Sequence, residues 1–294
     1  MNKTLLGSFY LALASSIWGG MYVVVKVVVA VVPPLELVWI RYLIAIVALV
    51  SIGLITRQKW SIDRKHIWIL ILIGVIGYAI SIVTQETGTL LSTAQMGAMI
   101  TSSTPAFMVI FARLILKEQL TKKQGISVIS ATIGVLLIIG VGNLDFNSKL
   151  GGISLLIAAL TWALMSVLIK LLPDSYSQIA VTTYASVVAV IILTPFVLPR
   201  LNELNIAGLS HPTIWGGLLY LGIISTAGAF YLWSRGLQLL NASGGGLFFF
   251  FQPMVGAFLG WLLLGESIGI TFWIGSALIL AGVLLVITEK KVIL

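Results

Sequence analysis

A chain of 294 residues that is 59% apolar and 9% charged, with a mean hydropathy of +1.12, is not a water-soluble domain, in which about a quarter of residues are charged. Its formal charge of +8 sits in short gaps between apolar runs and forms no basic patch, so nucleic acid is excluded as the reading and membrane topology is indicated. It has no cysteine, and both histidines, His66 and His211, fall in the gaps, which excludes disulfides, thiolate sites and an intramembrane histidine site for a metal.

A spanning helix needs about 20 mostly apolar residues. Ten such spans can be read, approximately 5–30, 35–56, 67–86, 91–114, 122–141, 151–171, 178–198, 213–234, 242–264 and 268–288. Too little chain remains for a soluble domain. The first run imitates a signal peptide, with Lys3 ahead of it and Ala12-Leu13-Ala14 as a cleavage-like site. The apolar run nevertheless continues to Val32, which makes it a retained transmembrane helix.

Within span 1, Ser15, Trp18, Gly19, Tyr22 and Lys26 recur at spacings of three and four and share one face. A lipid-facing stripe has no need of Ser, Trp, Tyr and Lys, so this face points inward. Trp18 is mid-span, away from an interfacial belt. Lys26 lies about 6 Å from the outer end of its helix. It either snorkels to the headgroups or enters a cavity.

Arg41 lies about 9 Å below the start of span 2, at a similar depth. Two cations at one level need an anion, and Glu86, ending span 3 on the same side, is the acid at that depth. The three could form an interhelical clasp, or an outer gate in which Glu86 and a substrate carboxylate compete for the cations. Tyr78 is a further candidate on span 3.

Span 4 reads AQMGAMITSSTPAF. Gln95, Met99, Ser102 and Ser103 lie on one side, and Pro105 frees a carbonyl that protein or water must satisfy. On span 6, Trp162, Met165 and Ser166 mirror the Trp18 region. Span 8 offers Tyr231 and Trp233. Span 9 opens with FFFFQPM, where Phe251 and Gln252 precede Pro253; at most two of the four phenylalanines can line a cavity. Paired prolines at corresponding positions point to a transporter's site, or to a packing kink. Gly256 and Gly260 permit close helix approach.

The two halves repeat. A shift of 144 carries Gly7, Trp18 and Lys26 onto Gly151, Trp162 and Lys170. A shift of 148 carries Gly74, Gly88, Pro105, Glu118 and Gly134 onto Gly222, Gly236, Pro253, Glu266 and Gly282. The first repeat covers 1–142 and the second 149–290. Five spans is an odd number, so the second copy crosses the membrane in the opposite sense. With both termini in the cytoplasm, only Lys26, Arg41, Lys149 and Arg200 of the 17 basic residues fall on the outer half, as the positive-inside bias requires.

WGGMYVVVK, the Pro-Pro turn, Arg41-Tyr42, LFFFFQPMVGAFLGWLLLGESI and ALILAGVLLVI resemble the EamA type of the drug/metabolite transporter superfamily. The resemblance covers essentially the whole chain. It implies an all-α integral membrane protein, ten helices in two inverted five-helix repeats around a central cavity lined mainly by helices 1, 3, 4, 6, 8 and 9. It further implies an inner-membrane exporter of amino acids or related metabolites. The halves differ in one respect: Lys170 matches Lys26 but falls at the opposite end, and position 41 has no basic counterpart near Thr183-Tyr184.

A polytopic enzyme would need convergent acids, histidines or a nucleophile with its base, which the spans lack. A scaffold or sensor would not predict a duplication with paired prolines. The expectation is therefore a secondary transporter, not an enzyme, with no cofactor and no metal. It works as monomer or homodimer in the cell membrane on a small amphipathic substrate, with efflux of toxic compounds as the alternative. The candidate substrate-binding residues are Trp18, Tyr22, Lys26, Arg41, Tyr78, Glu86, Gln95, Met99, Ser102, Ser103, Trp162, Ser166, Tyr231, Phe251 and Gln252. No Walker motif is present.

Overall fold

The computed structural model describes residues 3–117, 119–140, 145–173, 175–203, 211–239, 248, 251–266 and 269–287. Of the positions weighed above, Glu118, Phe249, Phe250, Lys290 and Lys291 lie outside the described residues, as do the side chains of Lys3 and Arg235. Among the described residues the secondary structure is helical throughout. The helices are α1 (Lys3–Val28), α2 (Pro34–Ile55), α3 (Arg64–Leu91), α4 (Ala94–Ile115), α5 (Lys122–Gly140), α6 (Phe146–Ile169), α7 (Gln178–Val197), α8 (212–239), α9 (Phe251–Leu264) and α10 (Ile270–Ile287). Eight are long and apolar enough to cross a bilayer, and α9 and α10 are shorter apolar helices. With backbone groups paired inside each helix, this is an arrangement a hydrocarbon layer tolerates.

Side chains on the outside of the bundle are apolar: Val47, Leu54, Ile71, Ile191 and Phe258 are exposed, as on a lipid-facing surface. Trp68 stands near one end of the bundle and Trp215, Trp261 and Trp273 near the other, all exposed, in the positions of interfacial aromatic belts.

The duplication is visible in the packing. A Cβ at Gly74 would lie 2.9 Å from the Ala185 carbonyl oxygen of α7, and one at Gly222 3.0 Å from the Arg41 carbonyl oxygen of α2. A Cβ at Gly88 would meet the Gly151 oxygen at 2.8 Å, and one at Gly236 the Gly7 oxygen at 3.1 Å. Each pair obeys the shifts of 144 and 148, with first and second halves exchanged. Neighbouring segments correspond too: α3 runs as a π-helix over Ile73–Ile80 and α8 over Tyr220–Gly228. π-Helical turns are rare and concentrate at functional sites.

Helix α4 is broken where Pro105 predicts it. The chain leaves helix at Ser102 and Ser103 and resumes as Thr104–Ile115. The carbonyl freed by Pro105, Thr101 O, accepts from Thr104 Oγ1 at 2.7 Å, and within the turn Ser102 Oγ donates to Met99 O at 2.6 Å and Ser103 Oγ to Ile100 O at 2.5 Å. Pro253 sits in the first turn of the described α9. The GxxxG pair packs within the chain: a Cβ at Gly256 would meet Ala98 Cβ at 2.3 Å, and one at Gly260 would meet Gln95 Cγ at 2.8 Å.

Candidate functional site

The bundle encloses a cavity of about 1280 Å³. It opens between the 56–59 segment and residues 170–179, at the end where α2 and α6 finish and α3 and α7 begin. Arg57, Lys59 and Lys170 line this mouth, with Gln58, Tyr176 and Gln178. Cross-links fix it: Ser177 Oγ donates to Gln58 Oε1 at 2.8 Å, and His66 Nδ1 lies 2.8 Å from Tyr176 Oη.

The cavity narrows to an aromatic wall and then to a polar floor. Trp18 packs against Phe230 and Trp233 with ring centroids 5.6 and 5.4 Å apart. Phe230 continues to Tyr78 at 6.4 Å and Trp162 at 6.2 Å, and Tyr78 to Tyr42 at 5.7 Å. The Trp18 indole donates to Ser225 O at 3.0 Å, a carbonyl of the α8 π-segment. On the floor, the Tyr22 hydroxyl donates to Gln85 Oε1 at 3.1 Å and lies 2.5 Å from Thr101 Oγ1. Gln252 Nε2 donates to Thr101 Oγ1 at 3.2 Å, so this network joins α1, α3, α4 and α9.

Arg41 closes the floor. Nη1 donates to Glu86 Oε1 at 2.9 Å, Nε to Thr226 Oγ1 at 2.9 Å, and Nη2 to Met21 Sδ at 3.2 Å and Ser225 Oγ at 3.4 Å. The π-helical turn presents these groups: Thr226 Oγ1 donates to Leu221 O, five residues back, at 2.7 Å. Fixed on all sides, the guanidinium is a preorganised cation in the cavity wall.

The opposite end is shut. Lys26 Nζ donates to Thr89 O at 3.0 Å, Leu90 O at 2.8 Å and Ser92 O, the last carbonyls of α3. Glu266 accepts from Ala94 N at 2.7 Å and Gln95 N at 3.0 Å, the first amides of α4. A cation on a helix C-terminus and an anion on a helix N-terminus both complement the helix dipoles.

The expected residues divide accordingly. Trp18, Tyr22, Arg41, Tyr78, Trp162, Ser166, Tyr231 and Gln252 line the cavity. Glu86 is buried behind Arg41. Lys26 does not join that pair, because the α3 carbonyls take its three protons. The α4 residues fall elsewhere. Gln95 Nε2 donates to Ala257 O at 2.9 Å, Met99 packs among Ile100, Val135 and Phe272, and Ser102 and Ser103 turn back on their own carbonyls. A different face of the helix, carrying Thr101, Thr104 and Met108 at spacings of three and four, lines the cavity. Phe251 is exposed and stacks on Phe248 at 6.2 Å, outside the cavity wall. Gln252 serves Thr101.

The wall also includes residues the sequence did not single out: Met21, Tyr42, Gln85, Thr226, Phe230 and the basic mouth. Helices α2 and α7 thus join α1, α3, α4, α6, α8 and α9 around the cavity. Gln85 carried one signal, a polar residue inside an apolar run; the neighbouring Glu86 masked it. Thr226 carried none, since only the π-helical register turns it toward Arg41.

The sequence resembles known proteins along its whole length. A 73-residue stretch is 77% identical to the putative permease-like protein YdzE of Bacillus subtilis strain 168, covering 25% of this chain and 94% of that one. The uncharacterized transporter YetK of the same organism is 27% identical over 288 residues, 96% of this chain and 86% of that one. An uncharacterized transporter of Archaeoglobus fulgidus is 26% identical over 282 residues, 95% of this chain and 98% of that one. A solved crystal structure with 18% identity superposes at a TM-score of 0.61 over 97% of this chain and 96% of that one, a likeness of fold. The family profile described as the EamA-like transporter family matches residues 5–140 and again 149–288. These two matches fall on the two halves of the bundle that meet at the cavity, and the chain belongs to the EamA-like transporter family.

Proposed function

We propose that this protein is a secondary transporter that exports amino acids or related small amphipathic carboxylates by alternating access between its two halves, 1–142 and 149–290. The observation that carries this reading is the composition of the cavity wall. It presents Arg41, Arg57, Lys59 and Lys170 and, among the described residues, no carboxylate. An anionic head is attracted along such a path, and the aromatic wall offers apolar area for the rest of the molecule. The positive-inside bias supports a cell-membrane protein with cytoplasmic termini, which puts the open mouth toward the cytoplasm. One chain encloses the whole cavity, so a monomer suffices for transport.

Counterflow in proteoliposomes tests this, with labelled amino acids, other carboxylates and cationic dyes, on the wild type and on Arg41→Ala. Exchange of an amino acid or carboxylate that Arg41→Ala abolishes supports the reading. The second reading, efflux of toxic cations, draws on the ring faces of Trp18, Tyr78, Trp162 and Phe230, which can hold a cation. Exchange of dyes alone, indifferent to Arg41, would replace the first reading with the second.

A further inference from the structure

Glu86 is buried and stands behind the cavity wall, and only Oε1 meets Arg41, at 2.9 Å. Its other oxygen, Oε2, is buried without a hydrogen-bond partner. The adjacent Gln85 lines the cavity, and its Nε2 is a buried donor without an acceptor. An unmade hydrogen bond is costly in such a place. The two orphans call for complementary things: Oε2 can take a proton, and Nε2 can be given an acceptor. Arg41 is bonded to Glu86 and, like Gln85, lines the cavity.

We propose that Glu86 takes up one proton each time a monoanionic substrate binds its carboxylate at Arg41, so that transport of such anions is coupled to protons. This rests on the carboxylate reading above. The balance is simple. Guanidinium and carboxylate together carry no net charge, and an arriving monoanion would leave one negative charge in a water-poor site. One proton from the cavity water forms an O–H bond on Glu86 and restores neutrality. The Arg41 Nη1 donor passes from Glu86 Oε1 to the substrate carboxylate, and Gln85 Nε2 donates to its second oxygen. No other covalent bond changes in the protein.

Among the described residues, the elements packed around Glu86 carry one other acid, Glu36. Segment 81–91 of α3 packs against α1, α2, α4 and α6 and the α3 π-segment. Helix α2 contributes Arg41, Tyr42 and, in its first turn, Glu36, which is buried and whose Oε2 also has no hydrogen-bond partner; Glu86→Gln tells the two acids apart, because Glu36 would still take up the proton. Helix α1 contributes Tyr22, bonded to Gln85, and Lys26, bonded to the carbonyls beyond Glu86. The π-segment contributes Tyr78, the first half of α4 contributes no ionisable side chain, and α6 contributes Lys149, exposed at its start. A tyrosine phenol and a lysine ammonium already carry their protons, so neither takes one up.

The sign follows by linkage. The anion binds the form in which Glu86 is protonated, so affinity is greatest at low pH. It falls about tenfold per pH unit once Glu86 is ionised in the ligand-free protein.

The probes are 3-phenylpropionate, a carboxylate with a ring, and phenethylamine, which lacks the carboxylate. Calorimetry on the whole protein in lipid nanodiscs, in buffers of different protonation enthalpy, counts the protons. At a pH high enough that Glu86 is ionised in the ligand-free protein, where affinity falls with pH, the wild type should take up about one proton per 3-phenylpropionate bound. Glu86→Gln should bind it with no proton uptake and with affinity flat in pH. If Glu86→Gln does not fold, the infrared carbonyl band of a protonated carboxylic acid, expected in the wild type on adding the anion, reads the same event. Binding without proton uptake, or without that band, overturns the coupling and leaves the carboxylate reading standing. Binding of phenethylamine but not 3-phenylpropionate overturns the carboxylate reading and the coupling with it.

Discussion

Arg41 and Glu86, 45 residues apart, meet at 2.9 Å with side chains 5% and 0% exposed. Removing one partner of such a pair leaves an uncompensated charge and costs about 3–5 kcal/mol, whereas removing both leaves none. Arg41→Ala and Glu86→Ala should each lower the thermal midpoint in detergent. The double variant should lose clearly less than the sum of the two. Exchanging the residues, Arg41→Glu with Glu86→Arg, should retain part of the transport that either single change abolishes. Additive losses of stability, or single variants that transport normally, would show that the pair is not the unit proposed.

Lys26 and Glu266 hold the turn between α3 and α4 by its backbone groups, Lys26 at the carbonyls and Glu266 at the amides. Hydrogen bonds to charged groups are worth about 1.5–3 kcal/mol. Lys26→Met should therefore cost stability of that order. Neither residue lines the cavity, so substrate affinity from the open mouth should stay unchanged. The shut end must open once per cycle, and weakening its clamp should change turnover. Counterflow across a range of substrate concentrations separates the two: a raised KM with unaltered kcat in Lys26→Met would return Lys26 to the binding site.

The ten helices were legible because apolar length alone demands them, and the duplication because glycines at helix crossings keep their spacing. The cavity wall was legible wherever an aromatic or polar side chain broke an apolar face, as at Trp18, Tyr22, Arg41, Tyr78 and Trp162. It was not legible on α4. A regular 3.6-residue period makes two faces, one carrying Gln95, Met99 and Ser102 and one carrying Thr101, Thr104 and Met108, and the pattern does not say which turns inward. Lys26 stands apart from the Arg41 and Glu86 pair for another reason. Its partners are the carbonyls of Thr89, Leu90 and Ser92, and every residue in the chain carries that group. The mouth residues Arg57, Lys59 and Lys170 were read as topology signals, and no pattern within a loop shows which loop rims a cavity.

Two glycines make a matched pair for testing the packing of α1 on α9. A Cβ at Gly19 would stand 2.5 Å from Gln252 O and 2.9 Å from Val255 Cβ, backbone and branched carbon that cannot move aside cheaply. Gly216, on α8, has nothing within 4 Å. Gly19→Ala should destabilise by about 1–3 kcal/mol through overpacking and shift the neighbouring Gln252 from Thr101. Gly216→Ala should be neutral, or stabilising by about 0.4–1 kcal/mol. Thermal midpoints measured side by side decide this; a Gly19→Ala midpoint at or above that of Gly216→Ala would mean the two helices do not pack this closely.

The chain has no cysteine, so single cysteines report the cavity's opening and orientation without background. Ser166 lines the cavity on α6, and Lys149 is exposed at the other end of the same helix. With cytoplasmic termini, Lys149→Cys should react with a membrane-impermeant maleimide added to intact cells. Ser166→Cys should react only in inside-out vesicles, where the basic mouth faces the reagent. A bound substrate should slow the Ser166→Cys reaction and leave Lys149→Cys unchanged. Labelling of Ser166→Cys from outside with Lys149→Cys protected would reverse the orientation. Labelling of both from outside would place the resting cavity open to the exterior, with the Lys26 and Glu266 clamp released.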